Sequence, residues 1–124
     1  FNLLYEELKE VEDKIILPKF DKKTTPSWFG FPITVKEGVD RKKLVKFLED
    51  NKIQTRNLFA GNFTKHPCFD QIRNDGISYK IIGDLINTNL IMEKTFWIGV
   101  YPGMTNEKIL YMAKKIKEGL GVND

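Results

Sequence analysis

The sequence predicts an α/β fold of the α+β kind, in which a small sheet carries helices on one face. Strand-like apolar runs cover residues 28–35, 53–59 and 96–101, and amphipathic helical patterns flank and separate them. The last run is aromatic or β-branched at five of its six positions, which is the composition of a buried strand. Strands that alternate with single helices in this way place those helices together on one side of the sheet.

The run from Phe96 to Tyr101 is predicted to be the central strand. It is apolar on successive residues, which indicates cover on both faces. Gly99 interrupts it, and we expect the first helix or the strand carrying Gly30 to pass too close there for a side chain. Pro102-Gly103 ends the strand, and Thr105 is placed to cap the next helix.

Five helices are expected around these strands. The first spans residues 2–15, and because no capping residue precedes it, we expect it to be cut from a longer polypeptide whose missing part is N-terminal. Asp40 caps the second, which ends near Asn51. Short helices follow Pro67 and about Thr88, with an extended piece at 79–82. The apolar face of the last helix, which Gly119 ends as its C′ residue, consists of Ile109, Met112, Ala113 and Ile116.

Composition excludes several classes of protein. With 41% apolar and 30% charged residues in 124, the chain is predicted to be a folded domain. Its 20 basic residues are interspersed with 17 acidic ones, so no basic stripe predicts nucleic-acid binding. No apolar run reaches the ~18–20 residues of a membrane span. The single cysteine, Cys68, and the absence of a signal peptide predict a cytoplasmic protein, and no metal site is expected.

Few residues are candidates for chemistry. Arg56 lies in mid-strand between apolar neighbours, where an unpaired charge is costly. It forms either a structural salt bridge or a guanidinium contact to an anionic ligand such as a phosphate. Phe29, Phe31 and Trp97 are interpreted as core residues. Aromatic side chains at strand ends can also wall a pocket, and Phe29 and Phe31 are the candidates for this role, with Asn62 as a polar contact. His66, Cys68 and Asp84 are predicted to have structural roles, and the residues predict no catalytic group in this chain.

Three blocks resemble a known family in order and spacing. They are SWFGFPITV at 27–35, IQTRNLFAGN at 53–62 and FWIGVYPGMT at 96–105, and Gly83 to Thr88 fits the same pattern. Together they resemble the C-terminal part of the DegT/DnrJ/EryC1/StrS sugar aminotransferase-like proteins. The residues of these blocks most closely resemble the branch that removes the C3 hydroxyl of CDP-4-keto-6-deoxyglucose in lipopolysaccharide O-antigen biosynthesis.

The resemblance implies the small, mainly antiparallel C-terminal domain of a fold-type I pyridoxal-phosphate enzyme. Residues 1–18 would be the end of an inter-domain helix with its connector, and residues 19–124 the small domain. The large cofactor domain would be absent, and with it the histidine base. His66, Asn89 and Cys68 depart from the family pattern.

The family also implies cofactors and partners for a full-length enzyme. These are pyridoxamine or pyridoxal phosphate, possible iron–sulfur clusters, a flavin/iron–sulfur reductase, a CDP-sugar substrate and a homodimer. We expect this chain alone to bind no cofactor and to be inactive. Two alternatives stay open: a domain of a nucleotide-sugar aminotransferase, or a stand-alone interaction module that binds a partner through the apolar stripe of its first helix.

Overall fold

The computed structural model describes residues 1–122 of the chain. These residues contain four strands and four α-helices. Short 3₁₀ helices at Lys9–Val11, Phe63–Lys65 and Pro67–Phe69 lie between them. In chain order, the elements are α1 (Asn2–Leu8), β1 (Ile15–Ile16), β2 (Gly30–Val35), α2 (Arg41–Asp50), β3 (Thr55–Asn57), α3 (Ile86–Lys94), β4 (Thr95–Gly99) and α4 (Asn106–Gly119).

The four strands form one antiparallel sheet in the order β1-β2-β4-β3. β4 therefore lies between β2 and β3, which confirms the prediction of a central strand. In the register, Ile98 lies opposite both Phe31 and Thr55, and Trp97 lies opposite Arg56. The predicted fold class, a small antiparallel sheet with helices on one face, is confirmed.

One face of the sheet forms the core with α1, α2 and α4. Side chains alternate across a strand, and the inward positions of β2 and β4 are fully or almost fully buried: Phe31, Ile33, Val35, Phe96 and Ile98. The helices contribute Leu4, Leu8, Leu44, Leu48, Ile109 and Ile116 to the same cluster. The expectation that β4 is covered on both faces is wrong for its second half, because on the face opposite to Ile98 Trp97 is only half-buried and Gly99 is exposed.

Pro32 lies where β2 has a partner on one side only. The Phe29 carbonyl accepts a hydrogen bond from the Val100 N–H, at 2.9 Å. Backbone polar groups alternate in direction along a strand, so the missing N–H of Pro32 points away from β4. On that side β1 pairs only with Thr34 and Val35. This half of β2 is therefore an edge of the sheet, which is where a residue without an N–H is tolerated in a strand.

Several element boundaries differ from the prediction. α1 ends at Leu8, and Ile15 belongs to β1, where it pairs with Val35. Residues 79–82 form no strand, and α3 begins at Ile86. The C′ residue of α4 is Gly121, with φ of 77°, and not Gly119. Two hydrogen bonds typical of a Schellman motif, Val122 N–H to the Lys117 carbonyl and Gly121 N–H to the Glu118 carbonyl, close that helix.

Lys117 connects the last helix to the first. Its Nζ lies 2.7 Å from an oxygen of Glu10 and 3.2 Å from an oxygen of Glu7. Burial lowers the pKa of the Lys117 amine, but hydrogen bonds to Glu10 and Glu7 outweigh that effect and hold the pKa above its usual value. The charged form of this lysine therefore stabilises the contact between α1 and α4.

The two glycines that face each other across β2 and β4 differ in the space around them. A Cβ on Gly30 would lie 2.8 Å from Cε3 of Trp97, whereas a Cβ on Gly99 would meet nothing within 4 Å. The expected close approach at Gly99 is wrong. The close approach is at Gly30, where the rigid indole ring occupies the space that a side chain would need.

We expect Gly30→Ala to lower the free energy of unfolding by about 1–3 kcal/mol, because the added methyl group overpacks against Trp97. Its register partner provides the matched control. Gly99→Ala should be neutral, or stabilising by up to about 1 kcal/mol, because alanine restricts the unfolded chain more than glycine does. Urea unfolding of both variants measures the difference, and equal effects would contradict this account.

Replacement of Lys117 tests its ion pairs through their pH dependence. Because the pKa of Lys117 is raised in the folded state, its charged form stabilises the fold. This stabilisation is fully present below the unfolded pKa of ~10.4 and is lost as pH rises through the folded pKa. We expect Lys117→Met to cost on the order of 1 kcal/mol at neutral pH, with this difference shrinking above about pH 10.5. Lys43→Met, at an exposed position of α2, controls for general alkaline effects. A difference that stays constant into alkali would attribute the cost to packing alone.

Candidate functional site

The open face of the sheet carries the side chains that point away from the helices. Two clefts lie along it, and Trp97 lines both of them. The larger, here called the β3–β4 cleft, has a volume of about 620 Å³. Its walls come from the segment before β3, from β3, from β4, from the segment after β4 and from the first half of α4. The polar and aromatic lining residues are Lys52, Gln54, Arg56, Trp97, Tyr101, Glu107, Lys108 and Tyr111.

Arg56 is exposed at the middle of β3, with Trp97 as its neighbour across the strands. Its guanidinium forms no hydrogen bond or ion pair within the part of the chain described. Its charge acts on the carboxylate of Glu49. Hydrogen bonds from Thr55 are the main reason that the pKa of Glu49 lies below its usual value, and the charge of Arg56 contributes a little. The geometry thus leaves the guanidinium available to a ligand, and its role as a site residue stays a prediction.

The second cleft, here called the aromatic cleft, has a volume of about 310 Å³ and an apolar lining. Phe29 and Phe59 line it and are 70% and 76% exposed. The ring of Phe29 meets that of Trp97 edge to face, with centroids 5.4 Å apart. The indole Nε1 donates to the Asn57 carbonyl at 3.1 Å, which fixes the ring between the two clefts.

Two of the predicted site residues are part of the structure's interior. Phe31 has no exposed surface and packs against the ring of Phe1, with centroids 5.0 Å apart. Its position on β2 turns it into the core, so it walls neither cleft. Asn62 is 4% exposed. Its Oδ1 accepts from Thr64 N–H, and its Nδ2 donates to Asn89 at 2.8 Å, so this amide holds the loop that precedes α3.

The remaining polar candidates have local partners or stand apart. A ring nitrogen of His66 lies within hydrogen-bond distance of the Ala60 carbonyl. Asp84 accepts a hydrogen bond from the Ile86 N–H at the start of α3, and Cys68 is an exposed free thiol. Among residues 1–122, no three histidine, cysteine, aspartate or glutamate side chains cluster as metal ligands would.

The sequence reasoning did not select Trp97, Phe59 or Tyr101 as site residues. A signal for Trp97 was present in β4, because Phe96 and Ile98 alternate with it and must share the opposite face. Tyr101 could have been found from its place just beyond the end of the strand. Phe59 has a positive φ of 50°, and no pattern in the sequence indicates that backbone conformation.

A family profile matches almost the whole chain. The profile describes the DegT/DnrJ/EryC1/StrS aminotransferase family and matches residues 1–117. The chain belongs to this family.

Relatives with curated names share nearly half of its residues. It is 46% identical over 125 residues to the lipopolysaccharide biosynthesis protein RfbH of Salmonella typhimurium, covering 99% of this chain and 28% of the relative. It is 44% identical over 106 residues to a dTDP-4-dehydro-2,6-dideoxy-D-glucose 3-dehydratase of Saccharopolyspora spinosa, covering 84% of this chain and 22% of the relative. The chain therefore spans only about a quarter of the length of each.

Solved structures of family enzymes share the fold. The GDP-4-keto-6-deoxy-D-mannose-3-dehydratase of E. coli, with bound hydrated PLP, superposes with a TM-score of 0.73 at 21% identity, over 94% of this chain and 28% of that one. DesV of S. venezuelae, in complex with a ketimine intermediate, gives 0.72 at 18% identity, over 99% and 31%. The fold is that of the C-terminal domain of fold-type I pyridoxal-phosphate enzymes.

The described residues do not by themselves fit pyridoxal phosphate. Such a site pairs a reactive amine or base with an acid or arginine at the pyridine nitrogen. In this chain, Lys117 is buried and lies between two glutamates in the helix layer. His66 lies beside a backbone carbonyl. Neither lies in the β3–β4 cleft, and the two lysines that do line it, Lys52 and Lys108, are both exposed. Within residues 1–122, no helix is long and apolar enough to cross a membrane.

A pair of substitutions separates a ligand contact from a structural one. We expect Arg56→Ala to change the free energy of unfolding by no more than about 0.5 kcal/mol, because the exposed guanidinium has no bonded partner. Asn62→Ala should cost about 1–2 kcal/mol, because it leaves Asn89 and the Thr64 N–H unsatisfied. Chemical unfolding of both variants measures this. A large loss at Arg56 would instead support the structural salt bridge.

Proposed function

We propose that this chain is the C-terminal small domain of a nucleotide-sugar 3-dehydratase that serves lipopolysaccharide sugar biosynthesis. The observation that carries the proposal is the 44–46% identity, over most of the chain, to two proteins named for lipopolysaccharide biosynthesis and for sugar 3-dehydration. The longer enzyme would remove the C3 hydroxyl of its substrate. The substrate we propose is CDP-4-keto-6-deoxyglucose, on the resemblance of the blocks at 27–35, 53–62 and 96–105.

The side chains on the open face suggest which part of the longer enzyme this chain forms. The β3–β4 cleft is lined by four charged side chains, Lys52, Arg56, Glu107 and Lys108. All four are exposed, and within residues 1–122 none is hydrogen-bonded to another ionisable group, so they do not form the positioned acid and base that dehydration needs. We therefore propose that residues 1–18 connect to a large cofactor domain and that residues 19–124 form a small domain which is inactive alone. Arg56 and Phe29 are proposed as its substrate-facing or cofactor-facing residues.

The cofactor and partners of the longer enzyme are part of the same proposal. It would use pyridoxamine or pyridoxal phosphate, act as a homodimer in the cytoplasm, and receive electrons through an iron–sulfur cluster from a flavin/iron–sulfur reductase. Absorbance spectra of the purified longer protein test for both groups, since a pyridoxal-type chromophore and an iron–sulfur cluster absorb at different wavelengths.

Activity assays test the proposal directly. The longest polypeptide that the gene encodes around this chain, and the chain alone, are each incubated with pyridoxamine phosphate and with the CDP, GDP or dTDP forms of a 4-keto-6-deoxy sugar. Each is assayed with and without a reductase. We expect the longer protein to remove the C3 hydroxyl from the CDP sugar, and the chain alone to be inactive, because it lacks a complete site.

Each other outcome identifies the part of the proposal that fails. Turnover by the isolated chain would contradict its inactivity. A preference for the GDP or dTDP sugar would correct the nucleotide. Formation of an amino sugar from glutamate, with C3 unchanged, would favour the aminotransferase alternative, which membership of the aminotransferase family supports. No turnover of any of the sugars by the longer protein would contradict the dehydratase.

A further inference from the structure

The ring of Trp97 separates two open clefts, so packing alone does not fix its orientation. It lines both the β3–β4 cleft and the aromatic cleft, and it is only half-buried. The ring lies over Gly30, where a Cβ would come within 2.8 Å of its Cε3. Its indole N–H donates to the Asn57 carbonyl at 3.1 Å. A ring with open space on two sides depends on such a polar contact for its orientation.

Asn57 connects that indole to helix α2. Its carbonyl accepts the Trp97 N–H and also the backbone N–H of Phe59, at 2.7 Å, and Phe59 is a wall of the aromatic cleft. Its side-chain Oδ1 accepts from Nη2 of Arg41. Because a guanidinium has donors only, the amide oxygen of Asn57 must face it. The position of Asn57 therefore decides where two aromatic walls lie.

Arg41 is the first residue of α2, and its side chain holds two strands at once. Its Nε donates to the carbonyl of Thr95, the first residue of β4, at 3.0 Å, while its Nη2 donates to Asn57, the last residue of β3. It is half-buried and, within residues 1–122, is paired with no carboxylate. The planar guanidinium directs its N–H groups at fixed angles, which the ammonium of a lysine does not. Arg41 therefore fixes how these ends of β3 and β4 lie relative to each other.

We propose that Arg41, acting through Asn57, is a positioning residue that fixes the orientation of the Trp97 indole. Both proposed substrate-facing or cofactor-facing residues lie against that indole. The ring of Phe29 meets it edge to face, with centroids 5.4 Å apart, and Arg56 is its neighbour across the strands. The inference rests on the proposed function for the reaction. It adds a polar contact that lines neither cleft and yet orients the walls of both.

Fluorine NMR and steady-state kinetics test the proposal on the longest polypeptide that the gene encodes around this chain. The protein is labelled with 5-fluorotryptophan, and the resonance of Trp97 is the one that disappears in Trp97→Phe. We expect Asn57→Ala to move this resonance, and to raise the KM for CDP-4-keto-6-deoxyglucose about fivefold or more with kcat within about twofold. Asn57→Asp should restore the resonance and bring KM back to within about twofold, because its carboxylate accepts from Arg41 in the same place.

Glu49→Ala is the matched control, because it removes the other side-chain contact between α2 and β3. The Glu49 carboxylate accepts from the N–H and hydroxyl of Thr55, at the end of β3 away from Asn57. We expect this variant to leave the Trp97 resonance in place and KM within about twofold, since β3 keeps its pairing with β4. Glu49 and Asn57 are both exposed, so the variants are expected to fold, and thermal melts verify this.

The outcomes distinguish this inference from the proposed function. An unmoved Trp97 resonance in Asn57→Ala would overturn it, even in a protein that dehydrates the sugar. An equal displacement in Glu49→Ala would also overturn it, because the effect would then be a general loosening of β3. A moved resonance with unchanged KM would reject the role of the indole in the reaction. In a protein without dehydratase activity, displacement by Asn57→Ala and restoration by Asn57→Asp would uphold the positioning of Trp97 and reject the reaction.

Discussion

The pairing of β4 with β2 on one side and β3 on the other is the constraint on which the rest of the structure depends. Because side chains in a strand alternate with a period of two, burial of Phe96 and Ile98 forces Trp97 to the opposite face. The register then places Arg56 beside that indole. A slip of one residue would expose the core and bury the indole, so the same pairing fixes both the core and the two clefts.

The three-residue strand β3 is held in that register by both ends of α2. At the start of α2, Arg41 donates from Nε to the Thr95 carbonyl at 3.0 Å and from Nη2 to Asn57 Oδ1. Near its end, the Glu49 carboxylate accepts from the N–H and hydroxyl of Thr55. Arg56 lies between these two anchored residues. Its backbone is therefore fixed while its side chain is unbonded, which is the arrangement expected of a contact residue on a rigid support.

Predictions from the sequence were accurate where the signal is local and strong. The apolar run of β4, the Asp40 cap of α2, whose carboxylate accepts from Lys42 and Lys43, and the apolar face of α4 each lie within a few residues of their cause. β1 could not be predicted, because two residues carry no periodicity and Ile15 fits a helical pattern as well. The roles of Gly30 and Gly99 depend on the rotamer of Trp97, which is a tertiary property.

Exposure, and not the cost of a buried charge, makes Arg56 a candidate contact residue. An arginine in mid-strand was expected to need a partner because burial of a lone charge is costly. β3 is an edge strand and Arg56 is exposed, so water satisfies the guanidinium and burial requires no partner. Arg41, by contrast, is half-buried, and burial holds its pKa below the usual value. Of these two arginines beside β3, Arg41 has the structural bonds, which leaves Arg56 free for a ligand in the cleft.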